Sequence, residues 1–387
     1  MSTGFIDGMK REIRRMTGRK MYIFGMLAVP LFMAFFFLDL LSPGLPNQVP
    51  TAVVDLDHSS MSRTVTRSLS ALQVLDLNER CESYDEALEM VRKGKIFGFF
   101  VIPSDFEKNA LAGNVPTLEY YSNMTYFVPG TLAFKGFKTV AVATSGGVVQ
   151  QTLVSLGATP EQISSLVQPL DLQINALNNP WMSYAIYLCP SFTMATFVLM
   201  IMLMTVFSIT MEVKTGSSVE WLGTAKGNIW IATASKLLPQ TVIWVAVGIF
   251  IQWLFFGLSH FPLNGSIGWM LLATVLVVIA SQGVGLFVSS VVPNPRLAFS
   301  LTALFGILSF SFTGFSFPVE SMYGWLGIFS YLAPIRYWFL IYINEALNGV
   351  GIYYSRYFFV ALIVLPLVAC SLLPRLRRAC LKPVYVP

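Results

Sequence analysis

Six apolar runs divide this chain, at residues 21–41, 184–210, 237–258, 269–291, 297–317 and 353–373. Each has about the 20 residues that a helix needs to cross the hydrocarbon core of a bilayer. A soluble fold has no place for so many. Only 12% of the 387 residues are charged, and 31 are Phe and 17 Met; soluble domains carry roughly 25% charged residues. The fold class expected is an α-helical polytopic membrane protein with six transmembrane helices. The first run is too long for the core of a signal peptide and no A-x-A site follows it, so it is expected to stay as an anchor.

Charge placement orients the spans. Lys10, Arg11, Arg14, Arg15, Arg19 and Lys20 crowd one end, and Arg375, Arg377, Arg378 and Lys382 the other. Beside apolar runs, such clusters mark the cytoplasmic side rather than a nucleic-acid surface. Six spans put the 1–20 segment and the 374–387 tail together on that side. A seventh span through 318–349, which holds Glu320, Arg336 and Glu345, would separate them. That stretch therefore reads as short helices dipping into the outer leaflet.

Residues 42–183 cannot span and fall outside. VPTAVVDLD (49–57), IFGFFVIP (96–103) and TLEYYSN (117–123) read as strands. Residues 59–72, 83–94 and 104–113 read as helices, the first capped by Ser59 or Ser60 and the second ended by Gly94. The alternation predicts an inserted α/β domain. Residues 127–178 read as helical, with a turn near 157–160.

Chemistry-bearing patterns are few. Cys81, Cys189, Cys370 and Cys380 fit neither a zinc site nor a redox pair, and His58 and His260 are isolated, so no metal is expected. There is no G-x-x-x-x-G-K-[ST] loop, no G-x-S-x-G and no H-E-x-x-H. The chain is expected to be no enzyme and to bind no cofactor. Asp39, Gln240, Gln252 and Gln282 are the polar residues within the spans; near-absence of mid-membrane acids and histidines weakens an ion-driven transporter reading.

Two segments stand out. In GFIDGMKREIRRMTGRK (4–20), Phe5, Met9, Ile13 and Met16 recur on one helical face, while Lys10, Arg11, Arg14 and Arg15 cover the remainder. This reads as an amphipathic helix lying in the membrane surface, in contact with lipid, or as a charge anchor alone. Residues 211–236, opening with MEVKTGSSVEWLGTAKG, join two spans by about 25 residues, where about 2–8 suffice. Gly216, Gly223 and Gly227 limit any helix there to a short one. Trp221 and Leu222, with Val219 beside Glu212, Lys214 and Glu220, are expected to face a protein partner, since a buried aromatic anchor can dominate an interface. The other reading rests Trp221 in the headgroup layer.

This order of segments resembles the permease subunit of type 2 ABC exporters, the drug and polysaccharide export group, in the branch with a large external domain. KREIRRMTGRKMYIFGMLAVPLFMAFFF (10–37) resembles that family's basic helix and first span. Glu212, Gly216, Ser217, Glu220, Leu222 and Lys236 match places in its loop between spans two and three. In TGFSFPVESMYGWLGIFSYLAPIRYW (313–338), Gly314, Phe317, Pro318, Trp325, Leu326 and Pro334 match its outer re-entrant segment. VPTAVVDLDHSSMSRTVTRSL (49–69) resembles the start of the external domain. Ala225-Lys226 departs from the Ser/Thr-Pro that the family often has.

The resemblance implies a permease that pairs with a second copy or a sister permease in a bacterial inner membrane. Separate ABC ATPase subunits, using ATP and Mg, would bind the loop and the N-terminal helix. A periplasmic adaptor and an outer-membrane channel are further implied partners. Two other classes stay open: a membrane-anchored sensor or envelope-assembly protein, and an ion-driven transporter.

Overall fold

The computed structural model describes residues 2–45, 47–112, 114, 117–155, 157, 159, 178–179, 183–315 and 317–382. The chain forms two compact units, Met1–Gly44 with Ala176–Pro387, and Leu45–Asn175. The expected helix and turn over 158 and 160–177 lie outside the described residues.

In chain order, helix α1 (Ser2–Gly18) precedes the first span, α2 (Lys20–Leu40), which carries a π-helical turn at Phe24–Ala28. The inserted unit follows: β1 (Val49–Asp55), α3 (Ser60–Ser70), β2 (Leu75–Cys81), α4 (Tyr84–Arg92), β3 (Gly98–Ile102), α5 (Phe106–Leu111), β4 (Glu119–Ser122) and α6 (Phe127–Ser155). The chain then runs through α7 (Tyr184–Lys214), α8 (Ser218–Thr224) and α9 (Ile229–Trp253, extended to Leu258 by a π-turn). It ends with α10 (Ile267–Val291), α11 (Pro295–Phe312), α12 (Gly324–Ser330), α13 (Pro334–Ile341), α14 (Ile352–Cys370) and α15 (Leu373–Leu381).

The inserted sheet has the order β2-β1-β3-β4, parallel except for β4. From β1 the chain crosses to β2 on one side, then back past β1 to β3 on the other. Crossovers of one hand then put α3 and α4 on opposite faces. Val53, Phe100 and Ile102 pack with Val65 and Leu69 of α3 on one face. Ala52, Val54, Phe99 and Val101 pack with Ala87 of α4 on the other. Burial on both faces is why these strands read as continuous apolar runs instead of alternating. Ser59 caps α3, and Gly94, at φ +70°, ends α4 in a left-handed turn. Strand β2, LDLNERC, carries charges between its apolar residues and lies at the sheet edge, and sequence reading missed it.

In the membrane unit, α2, α7, α9 with its π-turn, α10, α11 and the α14–α15 pair are long and apolar enough to span. They pack around Phe197, Trp244, Val277, Trp338 and Tyr342, with α7 and α10 the most enclosed. The chain leaves this unit at Gly44, whose carbonyl accepts a hydrogen bond from the N–H of Tyr184, the first residue of α7, at 2.8 Å. Within the spans, Gln252 donates to Thr274 and Thr241 donates to Gln282, linking helices; Asp39 is exposed near the end of α2.

The 318–349 stretch holds short helices: a 3₁₀ turn at Val319–Ser321, α12, α13 and a π-turn at Tyr342–Leu347. Gly314 takes φ +97° just after α11, Pro318 and Trp325 are exposed, and Pro334 is buried at the first turn of α13.

Candidate functional site

The loop expected over 211–236 is shorter than its sequence suggested. Helix α7 runs on to Lys214, and α9 starts at Ile229, where Asn228 accepts hydrogen bonds from the N–H groups of Trp230 and Ile231. Glu212 therefore belongs to the last turn of α7, and Lys236 lies two turns into α9. Gly216, at φ +70°, ends α7. Lys226 fills the left-handed position after α8, at φ +54°, so the Ala225-Lys226 departure is accommodated by a turn that needs no proline.

Helix α8 buries Ser218, Trp221, Leu222 and Ala225, the i, i+3, i+4, i+7 stripe of a helix face. These pack on Ile209, Ile229, Leu373, Leu376 and Cys380. The Trp221 Nε1–H donates to the Ala232 carbonyl at 3.1 Å, and Ser218 Oγ donates to the Cys380 carbonyl at 2.8 Å. The expectation that Trp221 and Leu222 face a partner is thus corrected: they are 1% and 2% exposed and hold α8 to its own chain. Within the 374–387 tail, the residues up to Leu381 belong to α15, which packs against α8. The outward face of α8 is Val219, Glu220 and Gly223.

Helix α1 forms, but its inward face differs from the one its apolar residues indicate. Gly4, Gly8, Glu12 and Met16 are buried, one turn apart. A Cβ on Gly4 would stand 2.8 Å from the Thr224 carbonyl oxygen, and one on Gly8 2.3 Å from Ser235 Oγ. The two glycines let α1 lie directly on α8 and α9. Phe5 and Met9 are half-buried, Ile13 is exposed at 47%, and Arg14 is exposed. Arg15, expected on the basic outer face, instead turns inward.

These placements assemble a buried charge cluster. Lys236 Nζ, 1% exposed, bridges Glu12 Oε2 at 2.7 Å and Glu212 Oε1 at 2.8 Å. Arg11 grips Glu212 with both Nη atoms, at 2.7 and 3.0 Å, and Arg15 Nη1 also pairs with Glu212. Ser217 Oγ donates to Glu212 Oε2 at 2.5 Å. Gln240 donates to Glu12 at 2.8 Å, and the Tyr22 hydroxyl reaches it at 3.4 Å. The Trp221 ring covers Lys236, its centre 5.2 Å from Nζ. Burial pulls the Arg15 guanidinium below its ordinary pKa, with Glu12 and Tyr22 pulling the other way.

Three cations thus face two carboxylates; Glu12, Glu212 and Lys236 are sealed from water, while the Arg11 and Arg15 side chains stay 16% and 13% exposed. Charges in such surroundings persist only when paired and hydrogen-bonded. The nearest further carboxylate is Glu220, whose Oε1 lies 3.4 Å from Arg11 Nε and whose side chain is 73% exposed. The cluster fastens α1, the end of α7 and the start of α9 to one another, and its most exposed member is Glu220. Of its members, sequence reading matched Glu212, Glu220 and Lys236 to a family loop and missed Glu12 altogether. The signal was present: Glu12 is the one acid between Lys10 and Lys20, four residues after Gly8 and eight after Gly4.

Fold and site together define a polytopic helical membrane protein with an α/β unit inserted between its first two spans and a basic leading helix ion-paired to the second and third. Residues 20–373 match the family model described as ABC-2 family transporter protein, and the chain belongs to that family. The match begins after α1, so Arg11, Glu12 and Arg15 stand outside it. ABC transporter G family member 20 of Dictyostelium discoideum is 22% identical over 370 residues, which cover 92% of this chain and 48% of that protein. The chain spans about half the length of this curated relative.

Proposed function

We propose that the chain is the permease subunit of an ATP-driven exporter, moving a substrate from the cytoplasm or inner leaflet outward. It sits in a bacterial inner membrane with α1 and α15 on the cytoplasmic side. It pairs with a second copy or a sister permease. Separate ATPase subunits hydrolyse ATP and dock on the outward face of α8, at Val219, Glu220 and Gly223. The α/β unit faces the periplasm, where an adaptor and an outer-membrane channel can engage it.

The observation that carries this reading is the buried charge cluster. A short helix tied by ion pairs to a surface helix and two spans passes a push on α8 to all of them as one body. Coupling requires such a mechanically continuous contact, and ion pairs of this geometry resist being pulled apart. The test is co-purification with the ATPase subunit. Val219→Asp and Glu220→Lys alter exposed side chains, so the permease should stay folded while ATPase affinity falls at least about tenfold, or about 1.4 kcal/mol. Undiminished ATPase retention and transport in both variants would remove α8 from the coupling path.

A further inference from the structure

Between α11 and α14 the chain lies at the end of the spans opposite the charge cluster, because α11 leads away from that end and the α14–α15 pair returns to it. Two charged side chains in this stretch are buried without an opposite charge within ion-pair distance among the described residues, Arg336 and Glu345. They do not serve each other: nine residues of helical chain separate them by roughly 13 Å. Glu345 is 2% exposed with Oε1 enclosed, so it cannot offer both carboxylate oxygens to a ligand. Arg336 is different.

Arg336 stands in the first turn of α13. Its Nη1 donates to Ser330 Oγ, and Ser330 in turn donates to the Gly327 carbonyl. Its Cζ lies 5.1 Å from the centre of the Tyr331 ring. These contacts fix the plane of the guanidinium but supply no negative charge. Nε and Nη2, the other donor edge, have no partner among the described residues, and neither is closed off from the surface. The residue as a whole is 8% exposed. An Nε–Nη2 edge is the fork that binds a phosphate or carboxylate through two parallel hydrogen bonds. The helix does not explain the residue either, since a cation in the first turn opposes the helix dipole.

The surroundings specify where the anion comes from. Tyr323, Trp325, Phe329 and Tyr331 are exposed at 80%, 66%, 45% and 58%. Exposed Tyr and Trp at the end of membrane spans sit at headgroup depth, where lipid phosphates lie. We propose that Arg336, oriented by Ser330 and Tyr331, is a phosphate-binding site that takes the headgroup of a phospholipid in the leaflet on this side. This rests on the membrane-spanning fold and not on export activity.

The test uses the full-length protein, delipidated in detergent and followed by native mass spectrometry. Phosphatidylglycerol, a phosphate-free diacylglycerol glycolipid and inorganic phosphate are added back separately. Wild type should hold one more phosphatidylglycerol than Arg336→Gln, with at least tenfold tighter binding of that copy. Arg336→Lys, which keeps the charge without the fork, should fall between them. Glycolipid should show no difference between the forms. Equal phosphatidylglycerol binding by wild type and Arg336→Gln overturns the site, and equal protection by inorganic phosphate alone overturns the lipid assignment. Loss of a dimer in Arg336→Gln with lipid binding unchanged would give the guanidinium to a protein carboxylate instead. Should that variant not fold, hydrogen exchange over 324–340 in wild type decides: slower exchange in phosphatidylglycerol nanodiscs than in glycolipid nanodiscs is required, and equal rates refute the proposal.

Discussion

Lys236→Met removes the cation that bridges the two buried carboxylates, and its effect can be worked out from the partners left behind. Glu212 keeps Arg11, Arg15 and Ser217. Glu12 keeps only the Gln240 amide at 2.8 Å and the Tyr22 hydroxyl at 3.4 Å, and is 1% exposed. Its charge loses its ion pair and keeps only the longer-range attraction of Arg15. Breaking a buried pair by removing one partner costs about 3–5 kcal/mol; the surviving amide bond offsets about 1 kcal/mol of that. The expected loss is about 3 kcal/mol. Glu12→Gln alone should cost less, about 1–2 kcal/mol, because Lys236 keeps Glu212 at 2.8 Å. Adding Glu12→Gln to Lys236→Met removes that unpaired charge, so the double variant should be more stable than Lys236→Met itself. The measurement is unfolding free energy by pulse proteolysis across a series of denaturing detergent mixtures. A Lys236→Met protein within about 0.5 kcal/mol of wild type, or a double variant whose loss equals the sum of the singles, would refute the account of this cluster.

Gly8→Ala puts a Cβ 2.3 Å from Ser235 Oγ; it should cost about 1–3 kcal/mol by overpacking and be relieved by Ser235→Gly, read as melting temperature in detergent. Trp221→Ala should cost about 3–5 kcal/mol, because the ring is buried in the chain's own packing; a variant as stable as wild type but defective only in partner binding would return Trp221 to the surface. In the inserted unit, Asp57 accepts hydrogen bonds from the N–H groups of Phe106 and Glu107 at 2.9 and 3.1 Å, capping α5 from outside. Asp57→Ala should speed hydrogen exchange in α5 by an amount worth about 1 kcal/mol. Partial burial raises the Asp57 pKa, but hydrogen bonds from Ser59 and from the backbone of Glu107, Phe106 and Asp105 outweigh it and hold it below the ordinary value. The cap is therefore complete above about pH 4, the unfolded value, and is lost as pH falls through the lower folded value; Asp57→Ala should lack that acid-side dependence.

The spans and the two central strands were legible because length and apolarity are local properties, readable within a window of residues. Strand β2 was not, since Leu75–Cys81, at the sheet edge, places Asp76, Asn78 and Glu79 among its apolar residues. The stripe Ser218, Trp221, Leu222, Ala225 was there to be read as one face of a helix. Nothing within it says whether the face meets its own chain or another. The charge cluster was the least legible feature. Arg11 and Glu212 are 201 positions apart, and Glu12 and Lys236 are 224 apart. No periodicity encodes a pairing at that distance; only the close packing that Gly4 and Gly8 permit brings the partners together.

Glu220 gives the cluster an electrical terminal. With Glu220 near Arg11, three cations meet three carboxylates and the assembly is neutral. A docking surface that offers its own cation to Glu220 competes for the same oxygen and leaves the enclosed part up to one charge more positive. At an effective dielectric constant of about 20, two unit charges 4 Å apart interact by about 4 kcal/mol. Seating or removing a partner at this exposed carboxylate therefore changes the voltage felt at the mouth of the first three spans, before any helix has moved.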